Sequence, residues 1–161
     1  MRRFTISFAT AIAVLAIVVG TALAAVTWHS GPTFTDNGDG TFTATGDGSG
    51  FGNQPAVATI TLSGTVRYTC VNKAGHAAQG QNPVPATSSG SEDLGNADHN
   101  GRGVLNLTVG PLSAPAIIGG KIAGCPNGNW KGINPVQEGS TTATLTITQG
   151  KTVIYGPVSP S

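Results

Sequence analysis

From Val57 to Val71 the chain reads VATITLSGTVRYTCV, and apolar and polar positions alternate along the whole run. Ala58, Ile60, Leu62, Gly64, Val66, Tyr68 and Cys70 fall on one side. Thr59, Thr61, Ser63, Thr65, Arg67 and Thr69 fall on the other. Successive Cβ atoms of a strand point to opposite faces, so this period predicts a strand with one buried and one wet face. Gly64 keeps the phase and marks a bend or bulge. Cys70 lies on the inward side.

The same pattern recurs downstream. TTATLTITQG (141–150) sets Ala143, Leu145 and Ile147 between threonines, and VLNLTV (104–109) turns Leu105, Leu107 and Val109 inward. Lys151 to Tyr155 follows the turn signal Gln149-Gly150, which makes 141–155 a hairpin. Trp130 to Val136 reads as a weaker strand broken by Gly132 and Pro135. Thr33–Thr35 and Thr41–Thr45 complete the set. Beyond residue 24 no helical period appears, and Gly and Pro punctuate the chain throughout. Seven or eight short strands predict an all-β, antiparallel β-sandwich, with a closed barrel as the alternative. The segment Asn72 to Gly101 is the least periodic. It predicts one weak strand near Pro83–Ser89 and two long loops.

The stretch TDNGDGTFTATG (35–46) poses a choice between a calcium loop and a turn. An EF-hand-type loop needs oxygen ligands at positions 1, 3 and 5, Gly at 6 and a bidentate Glu at 12. With Gly40 at the glycine position, Thr35 and Gly46 occupy the two ends, and neither meets the requirement. Asn37-Gly38 and Asp39-Gly40 are instead dipeptides that accept positive φ in hairpin turns. Phe34 before them and Phe42 and Ala44 after them keep a strand phase, so a turn is expected. Asp47-Gly48-Ser49-Gly50 reads as a further loop by the same logic.

The N-terminus changes the picture from fold to compartment. MRR, then the apolar run ISFATAIAVLAIVVG, then Ala22-Leu23-Ala24 form a secretory signal peptide over residues 1–24, with cleavage after Ala24. The apolar run is interrupted by Thr and Ser, and a spanning helix wants about 20 apolar residues. The expectation is a mature chain of residues 25–161 forming a single domain, secreted or held at the cell surface, with no membrane span. Loss of Arg2 and Arg3 leaves six basic against seven acidic residues. Such a balance, without basic runs, gives no electrostatic footprint for nucleic acid. Two cysteines, Cys70 and Cys125, stand 55 residues apart. In an exported chain they are expected to pair, rather than to stay as free thiols or ligate a metal. Closing that loop is worth about 4 kcal/mol in the chain-entropy treatment.

Little in the chain carries chemistry. His76 and His99 with Asp98 or Asp93 would be metal ligands at a spacing that specifies no geometry; solvated loop histidines are the expectation. His29 would be an amino-terminal copper ligand only after cleavage behind Trp28, which does not suit signal peptidase. No GxSxG elbow is present. Glu92-Asp93, the adjacent acidic pair, would point to opposite faces of a strand and make a poor acid–base couple. The reading is therefore non-enzymatic, with no catalytic residue, metal or cofactor. Trp28, Trp130 and Phe51 are weighed as core or binding-face aromatics, the core being favoured. Asn106-Leu107-Thr108 is a glycosylation sequon on the wet side of its strand.

GTVRYTCVN, GQNPV, CPNGNW and ATLTITQG together resemble a group of small exported actinobacterial proteins, over roughly Val57 to Gly156. The segment GINPVQE, with its Pro, departs from the group's pattern. The resemblance implies export and an immunoglobulin-like sandwich, and it implies no activity. Function is accordingly expected to be that of an extracellular binding or structural module whose partner is a cell-wall glycan or a protein. A small-ligand carrier of the apo-chromoprotein type and an extracellular protease inhibitor are the alternatives. With the strand faces committed to core and threonine, recognition falls to loops. The candidate binding residues are His76, Gln79, Gln81, Asp98, His99, Arg102 and Trp130.

Overall fold

The computed structural model describes residues 26–52, 54–94 and 101–160. The signal segment, Asp98 and His99 lie outside them. The elements run β1 Thr27–Asp36, β2 Phe42–Ser49, β3 Ala56–Val71, β4 Ala77–Gln79, β5 Val84–Asp93, β6 Gly103–Val109, β7 Ile117–Gly119, a helical turn α1 Gly120–Ala123, β8 Lys131–Gln149 and β9 Thr152–Val158. Every pairing is antiparallel. One sheet has the order β1-β2-β6. In the other, β3 pairs β8 on one side and β4 and β5 on the other, and β7 and β9 flank β8. The two sheets pack as a β-sandwich.

β3 behaves as its alternation demands. Ala58, Ile60, Leu62, Val66, Tyr68 and Cys70 are buried, and the residues between them reach the other face. Ile60, Leu62, Leu145 and Ile147 from the large sheet meet Phe42, Ala44, Leu105 and Val109 from the small one. Each large aliphatic contributes about 1.5–3 kcal/mol by leaving water, before the entropy of ordering it. On the outer face, the register sets Ser91, Thr59 and Thr146 in one row, Ser89, Thr61 and Thr144 in the next, and Thr87, Ser63 and Thr142 in a third.

The small sheet reaches only about as far as Leu62. Beyond it, residues 111–130 take over as cover. Val66, Tyr68, Cys70, Ala86 and Ala123 form a second buried cluster, with Leu112, Ala114, Ile118, Cys125 and Trp130 packed on it. The Tyr68 hydroxyl donates to the Pro115 carbonyl at 2.7 Å, and burial raises its pKa. Gly124, at φ 69°, ends α1 and lets the Cys125 amide return to the Gly120 carbonyl at 2.8 Å. That turn delivers Cys125 to Cys70, and the two form the expected disulfide with Cα atoms 5.6 Å apart.

The structure corrects several expectations. The described part of the irregular segment, 72–94, holds two strands, and β5 pairs β3 over ten positions. Its polar residues masked the period because they continue the outer hydroxyl face. Asp47, Gly48 and Ser49 belong to β2, where Gly48 pairs Gly103. The two strands read at 130–136 and 141–149 are one strand, β8. It absorbs its irregular sequence in two bulges, near Asn134 (φ 49°) and Gly139 (φ 72°). The second bulge faces Gly64, so the extra residues sit on the partner strand. Gly64 itself marks a close approach, since a Cβ there would meet Leu112 at 2.8 Å.

Sheet edges are interrupted. Pro32 lies in β1, Pro85 in β5 and Pro157 in β9. The Glu92 carboxylate accepts the Asn106 amide on β6 at 3.0 Å.

Candidate functional site

Two turns meet at the disulfide end. Val71, the last residue of β3, leads into a tight turn closed by Asn72. The Asn72 Oδ1 accepts from the Ala74 and His76 amides at 2.9 and 3.0 Å, and the Asn72 amide donates to the His76 carbonyl. CPNGNW forms the facing turn by the same device: Asn127 Oδ1 accepts the Asn129 amide at 3.0 Å, and the Trp130 amide donates to the Asn127 carbonyl. Both asparagines use their oxygen to build the turn. Their Nδ2 donors have no partner among the described residues. Between the turns lies an open groove of about 500 Å³ lined by Asn72, Lys73, Ala74, Asn127, Asn129 and Trp130.

Trp130 forms one wall. It is half-buried, packed against the cluster that contains Cys70 and Tyr68. The disulfide ties its loop to the end of β3. An aromatic held this way presents a rigid face, because packing and the crosslink have already removed its freedom.

The other candidate residues divide by position. His76 is exposed at the end of the Asn72 turn, and Gln79 is exposed on β4. Gln79 lines a separate groove with Arg67, Thr69, Val136 and Glu138. There Arg67 pairs with Glu138 at 2.6 Å, and the hydrogen bond to Glu138 raises the guanidinium pKa. Gln81 serves the backbone: its amide donates to the Gly124 carbonyl, and its side chain to that of Gln79. Arg102 pairs with Asp47 at 2.6 Å, beside the start of β6. β3 runs 16 residues between these ends, a separation of roughly 50 Å at about 3.3 Å per residue. Arg102 therefore cannot share a site with Trp130. Loop reasoning passed over Asn72, Lys73, Asn127 and Asn129. Their signal was the Asn-Gly content of VNKAGH and CPNGNW.

No family model, curated protein or solved structure matches the chain.

A third groove, of about 370 Å³, opens between the β1 and β9 edges, lined by Pro32, Phe34, Tyr155, Val158 and Pro160. Within 35–46, residues 37–41 form the turn between β1 and β2. Asp36 Oδ1 accepts the Gly38 amide at 2.9 Å, and Asp39 Oδ1 accepts the amide and hydroxyl of Thr41 at 3.0 and 2.6 Å. Those bonds hold the Asp39 carboxyl below its ordinary pKa of 3.8. Among the described residues, no group of three His, Cys, Asp or Glu side chains converges as a metal site. Nor is any helix long and apolar enough to cross a membrane.

Proposed function

We propose that the chain is an exported, non-enzymatic, immunoglobulin-like binding module that acts outside the cell and recognises a cell-wall glycan through its disulfide end. The observation that carries this reading is the groove that Trp130 lines together with Asn72, Asn127 and Asn129. An indole beside asparagine amides suits a sugar ring, whose apolar face stacks while its hydroxyls accept hydrogen bonds. The disulfide supports the extracellular setting, since such bonds persist in oxidising compartments. The alternative is a carrier of a small apolar molecule, favoured by Phe34, Tyr155 and Val158 in the groove between β1 and β9.

Co-sedimentation of residues 25–161 with insoluble cell-wall material tests the reading. Retention in the pellet is expected, with loss in Trp130→Ala and in Asn127→Ala/Asn129→Ala. Full retention of both variants would remove the site. Failure of the wild type to pellet, with saturable uptake of an apolar fluorophore that Phe34→Ala abolishes, would establish the carrier instead.

A further inference from the structure

The lysines of this protein are not spread evenly. Lys73, Lys121, Lys131 and Lys151 are the four that follow the signal segment. Three of them gather at the disulfide end, although 48 and then 10 positions separate them in sequence. Lys73 lines the groove. Lys131 follows Trp130 and pairs across the ladder with Val71. Lys121 lies with its stem along Gly128, so its chain runs beside the CPNGNW turn. The two described arginines are held by carboxylates, Arg67 by Glu138 and Arg102 by Asp47. None of the three lysines makes an ion pair among the described residues.

Among the described carboxylates, Glu138 is taken up by Arg67, and the others lie elsewhere. Asp36 and Asp39 belong to the β1–β2 turn, Asp47 to the far end of β2, and Glu92 and Asp93 pair with Ala58 and Val57 at the far end of β3. No Asp or Glu occurs from residue 68 to 91 or from 99 to 137, the segments that supply this end. Residues 25–161, with six basic against seven acidic side chains, thus carry a local positive pole around the groove among the described residues.

We propose that the disulfide end binds an anionic polyol or sugar polymer, with phosphate or carboxylate groups on Lys73, Lys121 and Lys131 and a ring or polyol face on Trp130. This rests on the reading of that end as the binding surface and assigns its ligand class. The groove is open and holds no buried charge, so each lysine meets its anion in high dielectric, where a contact is worth about 1 kcal/mol. A single small anion gains little from that. A polymer with a repeating charge gains from several contacts at once, because each engaged unit raises the effective concentration of the next. Three lysines fall well short of the six to ten phosphate contacts of strong DNA binders, and the indole and amides suit a sugar or polyol better than a duplex.

Fluorescence anisotropy with labelled probes separates these possibilities. The probes are poly(glycerol phosphate), polygalacturonate, neutral dextran, duplex DNA and vesicles of phosphatidylglycerol. Residues 25–161 are expected to bind one or both anionic polyols and to ignore dextran, which also tells phosphate from carboxylate as the preferred source. Binding should fall at least tenfold between about 0.01 M and about 0.15 M salt, as the screening length drops from ~30 to ~8 Å. The triple variant K73Q/K121Q/K131Q should lose at least tenfold, whereas K151Q, the same kind of change at the opposite end, should lose nothing. Thermal midpoints of both variants confirm folding. Equal binding by the triple variant, or equal affinity for dextran, would overturn the ligand class and leave the wall-binding reading standing. Tighter binding to DNA or vesicles than to either polymer would overturn the polymer assignment. No binding to these probes or to wall material would sink both.

Discussion

The indole of Trp28 lies across Gly46, so close that a Cβ on residue 46 would stand 2.5 Å from the ring's Cζ3 and 2.9 Å from its Cε3. A Cβ on residue 48, two positions on, would stand 3.2 Å from Cε3 of the same ring. The bare backbone of β2 is thus the floor of a slot for the tryptophan. Phe51 and Tyr155 close the slot with edge-to-face contacts at 6.0 and 5.4 Å. Gly46→Ala is expected to push the ring out of place and cost about 1–3 kcal/mol, the range for overpacking a core. Denaturant unfolding measures it, and the near-ultraviolet circular dichroism of Trp28 should change with it. Gly119→Ala, where nothing lies within 4 Å, should stay within about 0.5 kcal/mol.

The Cys70–Cys125 bond joins the buried face of β3 to the segment that covers it. Intact mass before and after reduction should show no alkylatable thiol in native protein. The double variant Cys70→Ser/Cys125→Ser is expected to lose about 2–5 kcal/mol. Two reactive thiols in unreduced material would contradict the pairing.

Acid should loosen the β1–β2 turn in a definite order. The Thr41 hydroxyl, and then the Thr41 amide, hold the Asp39 carboxyl below 3.8. A depressed folded pKa means a contribution that is present above the unfolded value and lost as pH falls through the folded one. NMR titration of the Asp39 carboxyl should therefore give a midpoint below 3.8. Thr41→Val should move that midpoint upward by removing the larger cause. An unchanged midpoint in the variant would refute the assignment.

Calcium should be irrelevant to stability. The carboxylates of Asp36 and Asp39 already accept backbone amides within the turn. A chelator should leave the thermal midpoint where it was. A rise of several degrees on adding calcium would show a native-state metal site, since a ligand that binds only the folded form must stabilise it.

The sequence was most legible where one face is apolar and the other threonine. Val57–Val71 alternated without a break, and the buried set matches it down to Cys70. The 141–155 hairpin and the inward residues of β6 were readable for the same reason. β5 escaped because Ser88, Ser89, Gly90 and Ser91 carry little apolar contrast, and their strand is held by the β3 ladder. Gly48 read as a loop residue because its role depends on Trp28, a partner distant in sequence. The candidate groove was half visible. Trp130 and His76 stood out by type, but Lys73 and Lys121 came together only through the disulfide-tied cover, which no local pattern encodes.

Pro32, Pro85 and Pro157 have a consequence beyond their own strands. A proline offers no N–H to a neighbouring chain, so three sheet edges each miss a rung where another copy would have to pair. The stretch of β8 left open between β7 and β9 carries Pro135 and the bulged Gly139. On β6 a glutamate already occupies the Asn106 amide. A threonine-rich, largely uncharged sheet protein is the kind that would otherwise template its own stacking into fibres. With its edges blunted, many copies can crowd together without seeding amyloid.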